Sequence, residues 1–175
     1  MTLYAFRGTK PVIAASAFVA DNAAVIGDVH LGDDSSIWFG CTVRGDVGEI
    51  RFGARTNVQD GSVVHVTGGL SSTHVGDDVT VGHMVILHGC RIGSRVLVGM
   101  GSTVLDNAVV GDECLVAAGS LVTPRTVIPP RSFVMGRPAR VVRPVKDDEL
   151  AMIVSSAHHY VENARVFRGT DVIRL

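Results

Sequence analysis

Aliphatic residues recur at every sixth position along most of this 175-residue chain, and that period constrains the fold more than any other feature. Val19, Val25, Leu31, Ile37 and Val43 are six apart, as are Phe52, Val58 and Val64, then Val75, Val81 and Leu87. After one shortened step to Ile92 the count resumes through Val98, Val104, Val110, Val116, Val122, Ile128 and Val134. An amphipathic helix needs apolar positions three and four apart and a half-buried strand needs strict alternation, so neither explains a six. Short strands joined by tight turns do, provided the chain winds and each strand stacks on its equivalent in the next coil, about 4.8 Å away. Composition agrees. Aromatic residues make up only 5% and glycine is 20 of the 175, which suits an aliphatic interior with many tight corners.

Many of the aliphatic positions are followed by glycine, as in Leu31-Gly32, Val75-Gly76, Ile92-Gly93 and Val110-Gly111. The motif resembles the hexapeptide repeat of left-handed parallel β-helices, in which three hexads make one triangular coil. Handedness is implied by that resemblance alone, since the general crossover rule favours a right-handed turn. The fold class expected is all-β: a left-handed parallel β-helix over residues 1–145, with a C-terminal helix and tail at 146–175 packed on it within a single domain. Asp147 and Asp148 lie at a helix start, and Leu150, Ile153, Val154, Ala157, Val161 and Ala164 form a stripe at helical spacing, which predicts a helix from Lys146 to about Phe167. Thr67 to His74 breaks the hexad and reads as a surface loop. Gly136-Arg137-Pro138-Ala139-Arg140 marks the end of the solenoid.

A net charge of −1 gives no electrostatic reason to expect a nucleic-acid or membrane partner. No stretch approaches the roughly 18 apolar residues of a membrane span, and residues 1–12 lack the apolar run of a signal peptide. Cys41, Cys90 and Cys114 are odd in number and far apart, which argues against a disulfide framework and against a CxxC metal knuckle. A reducing, cytoplasmic compartment is the expectation.

With three hexads to a coil, Val43, Val64 and Leu87 fall on the same wall of successive coils, so Arg44, His65 and His88, each one residue later, stack in a column. Val58 and Val81 are equivalent on another wall, and two residues later Asp60 and His83 stack likewise. His83 thus lies one wall round from His65 and His88. Zinc needs its nitrogens at about 2.0–2.1 Å, so a histidine one wall away is badly placed for an ion the other two share, and a neighbouring subunit would have to supply it.

Arg44-Gly45-Asp46, Asn57-Val58-Gln59-Asp60-Gly61, His65 and Gly82-His83-Met84-Val85-Ile86-Leu87-His88-Gly89 together resemble the signature of the gamma-class carbonic anhydrases and their bacterial relatives. The resemblance covers nearly the whole chain. It implies a homotrimer with a metal ion at each interface, His65 and His88 coming from one subunit and His83 from the next. The implied cofactor is Zn2+, with Fe2+ or Co2+ also compatible with three imidazoles and a water. The implied reaction is attack of metal-bound hydroxide on carbon dioxide to give bicarbonate, a lyase activity. Gln59 would orient the hydroxide or the substrate, Arg44, Asp46 and Asp60 would form an interfacial ion-pair network, and Tyr160 matches a position that some relatives place near the site.

The chain departs from the family pattern in one place. Other members carry acidic residues just after the Arg-Gly-Asp aspartate and in the loop after the first histidine, where they help move the proton away. Here those positions are Val47 and then Val66, Thr67 and Gly68, with Glu49 and His74 the nearest substitutes. Weak hydration is therefore expected, and other readings stay open: a hexapeptide-repeat acyltransferase, a thioester hydrolase, or a metal-binding structural subunit without turnover.

Overall fold

Every hexad position from Val19 to Val134 is buried. The computed structural model describes residues 2–169, a β-solenoid of about seven turns followed by one C-terminal helix. The hexad becomes three columns of paired residues. Val43, Val64, Leu87, Val104 and Val122 are in register on one wall. Leu31, Phe52, Val75, Ile92, Val110 and Ile128 line the second. Val19, Ile37, Val58, Val81, Val98, Val116 and Val134 line the third. Ser132–Gly136 turns back on Ala139–Pro144 as an antiparallel hairpin that ends the winding. Cys41, Cys90 and Cys114 are free thiols within this core, and burial pushes Cys41 up to about 11 and Cys90 up to about 12. No helix among the described residues is long and apolar enough to cross a membrane.

Two corners differ from the expected pattern of short strands and tight turns. Ala24–Leu31 and Thr42–Phe52 run through the corner as continuous strands. They can because Gly27 meets Gly45 there: a Cβ on Gly27, whose φ is +73°, would lie 2.4 Å from the Gly45 carbonyl oxygen. Pairing passes from Gly27↔Gly45 directly to Val29↔Ile50, so residues 46–49 bulge out opposite Asp28. The loop after His65 also ends sooner than expected. Thr73 and His74 already belong to the strand Thr73–Val75, because Thr73 pairs with Ile50 and His74 pairs with Arg51 and Arg91.

A third kind of corner carries charge. Asp34, Arg55, Asp78, Arg95, Glu113 and Arg131 occupy one such position per coil, all at positive φ between 53° and 58°. The strain of this backbone, about 1–2 kcal/mol for a non-glycine residue, is offset by a backbone bond from Arg55, Asp78, Arg95, Glu113 and Arg131 to the coil before. Their side chains alternate in sign and pair down the corner: Arg55 with Asp78 at 2.6 and 2.8 Å, Arg95 with Glu113 at 2.8 Å, Glu113 with Arg131 at 3.4 Å.

The helix, Asp147–Arg168, starts one residue later than the sequence suggests and runs beside these charges. Asp147 pairs with Arg131 at 2.7 Å, His158 approaches Asp78 at 3.6 Å and Arg165 approaches Asp34 at 3.7 Å. Its apolar side buries Ile153, Ala157, Val161 and Ala164. Tyr160 and Phe167 stack edge-on against Trp38, with centroids 5.3 and 5.1 Å away. The first turn is anchored by Glu149, which accepts two bonds from Arg143 at 2.7 Å and one from the Lys146 backbone at 2.9 Å.

The carboxylates in and beside these contacts predict a helix that docks less tightly in acid. The Arg55 guanidinium holds the Asp78 carboxyl below the usual range, and Arg143, followed by the Lys146 backbone, pushes Glu149 down to about 2. A depressed carboxylate stabilises the fold above its unfolded value of about 4, and this contribution is lost as pH falls through the folded value. Trp38 emission should therefore stay constant down to about pH 5 and shift between about pH 4 and pH 2, as Tyr160 and Phe167 leave it. An unchanged spectrum at pH 2 would refute this account.

Candidate metal centre

The bulge at residues 46–49 sends two carboxylates to two histidines. Asp46 Oδ1 lies 3.0 Å from His65 Nε2, and Glu49 Oε1 lies 3.0 Å from His74 Nε2. His65 and His88 end the strands Val63–His65 and Ile86–His88 and are direct register partners. Their imidazoles meet edge to face with centroids 5.2 Å apart, and His65 Nδ1 is 3.2 Å from His88 Nε2. On the far side of His88, Nδ1 lies 3.2 Å from both carboxylate oxygens of Asp106.

One nitrogen of each ring thus faces a carboxylate. Burial opposes ionisation of Asp46, yet hydrogen bonds from His65 and Arg44 hold its carboxyl below the ordinary range. Burial likewise opposes ionisation of Asp106, and Ser71, His88 and Thr67 together bring it down. Both carboxylates only accept, so His65 Nε2 and His88 Nδ1 are the N–H donors. His65 Nδ1 and His88 Nε2 then face each other across the inner gap. At 3.2 Å a proton or a metal ion shared between them would join the two rings. Two nitrogens bound to one tetrahedral ion at 2.0–2.1 Å lie about 3.3 Å apart. The donor pair present thus fits a divalent metal, with its carboxylate partners already in place.

The remaining candidates gather elsewhere. His83 sits in the turn after Thr80–Val81, in the other parallel array, with Nδ1 3.0 Å from Asp60 Oδ2 and both side chains about half exposed. Gln59 is buried on the same wall and donates to Asn57 at 3.2 Å. Tyr160 packs against Trp38, and burial, with a smaller contribution from the Asp60 charge, pushes its hydroxyl up. Arg44 pairs with Asp46, whereas Asp60 pairs with His83. Among the described residues of one chain, no three His, Cys, Asp or Glu side chains converge on one point. The chain carries two halves: Arg44, Asp46, His65 and His88 on one side, and Gln59, Asp60, His83 and Tyr160 on the other.

Asp106 and Ser71 are the residues that sequence reasoning passed over. Asp106 sits in a coil without a histidine, and only the register Leu87↔Val104 brings it opposite Gly89, beside His88. Glu49 and His74 are bonded to each other. Glu49 also lines a cavity of about 510 Å³ with Val47, Gly48, Ser71 and Arg91.

A family model described as Bacterial transferase hexapeptide (six repeats) matches residues 89–124. The chain is 44% identical to a carbonic anhydrase of Geobacillus kaustophilus over 95% of its own length and 91% of that protein. It is 47% identical to gamma carbonic anhydrase 1, mitochondrial, of Arabidopsis thaliana, over 86% of this chain. It spans 56% and 64% of the length of the two Arabidopsis proteins it matches. Among solved structures, a hexapeptide transferase family protein from Anaplasma phagocytophilum superposes with a TM-score of 0.91 at 40% identity, covering 95% of this chain and 98% of that one. With its hexad columns and its paired histidines, the chain belongs to the gamma carbonic anhydrase family of hexapeptide-repeat proteins.

Proposed function

We propose that this protein hydrates carbon dioxide to bicarbonate at metal sites between the subunits of a homotrimer, each site built from His65 and His88 of one chain and His83 of the next. The observation that carries this reading is the pair of inner imidazole nitrogens 3.2 Å apart, short of one ligand that the same chain holds on another wall. Val63 and Ile86, in register beside the two histidines, are exposed, as are Met84 and Met100 near His83. Apolar surface on both half-sites suits burial against another copy.

Zinc, iron(II) or cobalt(II) bound by three neutral imidazoles would lower the pKa of a coordinated water to near 7 and so supply hydroxide at neutral pH. Asp46 and Asp106 hold His65 and His88 in the tautomer that presents a bare nitrogen inward, and Asp60 at 3.0 Å does the same for His83 through Nδ1. Arg44 keeps Asp46 ionised and oriented. Gln59, its amide steadied by Asn57, presents a neutral polar group to orient substrate. Tyr160 holds the helix against Trp38 behind this wall.

The test is metal analysis and a carbon dioxide hydration assay on anaerobically purified protein and on His83→Ala. About one ion per chain is expected in the wild type, with both metal and hydration lost in the variant while trimers persist. Full metal content in the variant refutes the ligand assignment. Bound metal with no hydration in any redox state would make the chain a metal-binding structural subunit, and chelator-resistant turnover of an acyl donor would make it a transferase.

A further inference from the structure

We propose that Asp106 positions His88 as one half of a latch whose other half is Ser71, so that metal affinity and closure of the 66–72 loop are one equilibrium. The proposal rests on reading His65, His83 and His88 as a metal site. Asp106 and Ser71 are 35 residues apart, yet Ser71 Oγ donates to Asp106 Oδ1 at 2.6 Å, while both Asp106 oxygens lie 3.2 Å from His88 Nδ1. The same hydroxyl accepts the Thr67 N–H at 3.1 Å, and Ser71 N–H returns to the Thr67 carbonyl at 3.0 Å. Ser71 therefore closes the loop on itself and, with the Thr67 side chain, ties it to the partner of His88.

The residue after His88 is shaped to this contact. Gly89 has φ +63°, and a Cβ there would lie 2.0 Å from Ser71 Oγ and 2.3 Å from Asp106 Oδ1. Any side chain at 89 would hold the latch open. The loop's far end is tied to both histidine-bearing strands as well: Thr73 Oγ1 donates to the His65 carbonyl at 3.0 Å and accepts the Gly89 N–H at 2.9 Å. A loop that opens takes Ser71 from Asp106 and frees the carboxylate to turn away from His88. By reciprocity, a ligand that needs His88 in its present orientation favours the closed loop.

The experiment measures two quantities on the full chain: zinc affinity by chelator competition, and amide hydrogen exchange of residues 66–72 with and without zinc. In the wild type, zinc should slow exchange across the loop. Asp106→Ala should weaken zinc about 10–100-fold, and Asp106→Asn, which keeps an acceptor oxygen and the side-chain volume, should recover part of that loss. Ser71→Ala keeps every ligand and both carboxylates. With only the Thr67 side chain left to tie the loop to Asp106, it should weaken zinc and reduce the zinc-dependent protection of the loop, and it keeps the test open if Asp106→Ala fails to fold. Wild-type zinc affinity in Ser71→Ala, or equal loop exchange with and without zinc in the wild type, overturns the latch while leaving the metal site standing. A wild-type chain that binds no zinc overturns the site reading, and the latch with it.

Discussion

Chains carrying His65→Ala, co-expressed with chains carrying His83→Ala, should recover metal binding that neither variant shows alone. In a site shared across an interface, one chain offers His65 and His88 and its neighbour offers His83. Homogeneous His65→Ala trimers lack a ligand at every interface, and so do homogeneous His83→Ala trimers. In a random one-to-one mixture, an interface is complete when the His83→Ala chain supplies the pair and the His65→Ala chain supplies the single histidine, which occurs at about one interface in four. Metal per chain should accordingly rise from near zero to about a quarter of the wild-type value. An intrachain site predicts no recovery at any mixing ratio, since no chain in the mixture is whole. The placement of His83 in a different array from His65 and His88 is what makes the two outcomes distinct.

Leu87→Ala should cost the metal-free protein about 2–5 kcal/mol, the range for truncating a large buried aliphatic residue. Leu87 is 0% exposed and lies between Val64 and Val104 in its column. Its neighbours are held by backbone pairing on both sides, so they have little freedom to close the cavity. For a chain of this size the thermal midpoint should fall by roughly 4–20 °C. Leu87→Met, which keeps the volume, should cost less than about 1.5 kcal/mol. Denaturant unfolding of both variants without metal checks this, and a loss in Leu87→Ala as small as that in Leu87→Met would show that the column collapses readily. Because His88 follows Leu87 directly, the alanine variant should also bind metal more weakly once metal is returned.

The hexad was legible because each wall of a winding chain sends one side chain inward, and repetition over many coils leaves no other period that hides it. The stacking of His65 on His88, and of Asp60 with His83, followed from the same count, since register converts sequence distance into spatial neighbourhood. The strand through 42–52 did not follow. The gap between Val43 and Phe52 signals extra residues, but their remaining in the sheet depends on Gly27 meeting Gly45, a contact between coils that no local pattern reports. Asp106 was hidden for a related reason. A lone aspartate near a corner looks solvated, and its meaning comes from Ser71 and His88 arriving from two other coils. The residues of both clusters could be listed from sequence, whereas in the proposed trimer their union rests on a second copy of the chain, which no pattern within one chain reports.

The corner of alternating charge limits how such a chain can change length. From Asp34 to Arg131 there are five coil steps, a rise of about 24 Å, and the helix residues facing those ends, Arg165 and Asp147, are separated by about 27 Å of helix. The helix is in effect a ruler laid along the coils. Deleting a single coil within that span would set like charge against like and leave the ruler too long, whereas deleting two would restore the alternation but still strand one end of the helix. Parity and length together disfavour a change in the number of coils along this stretch unless the helix changes with it.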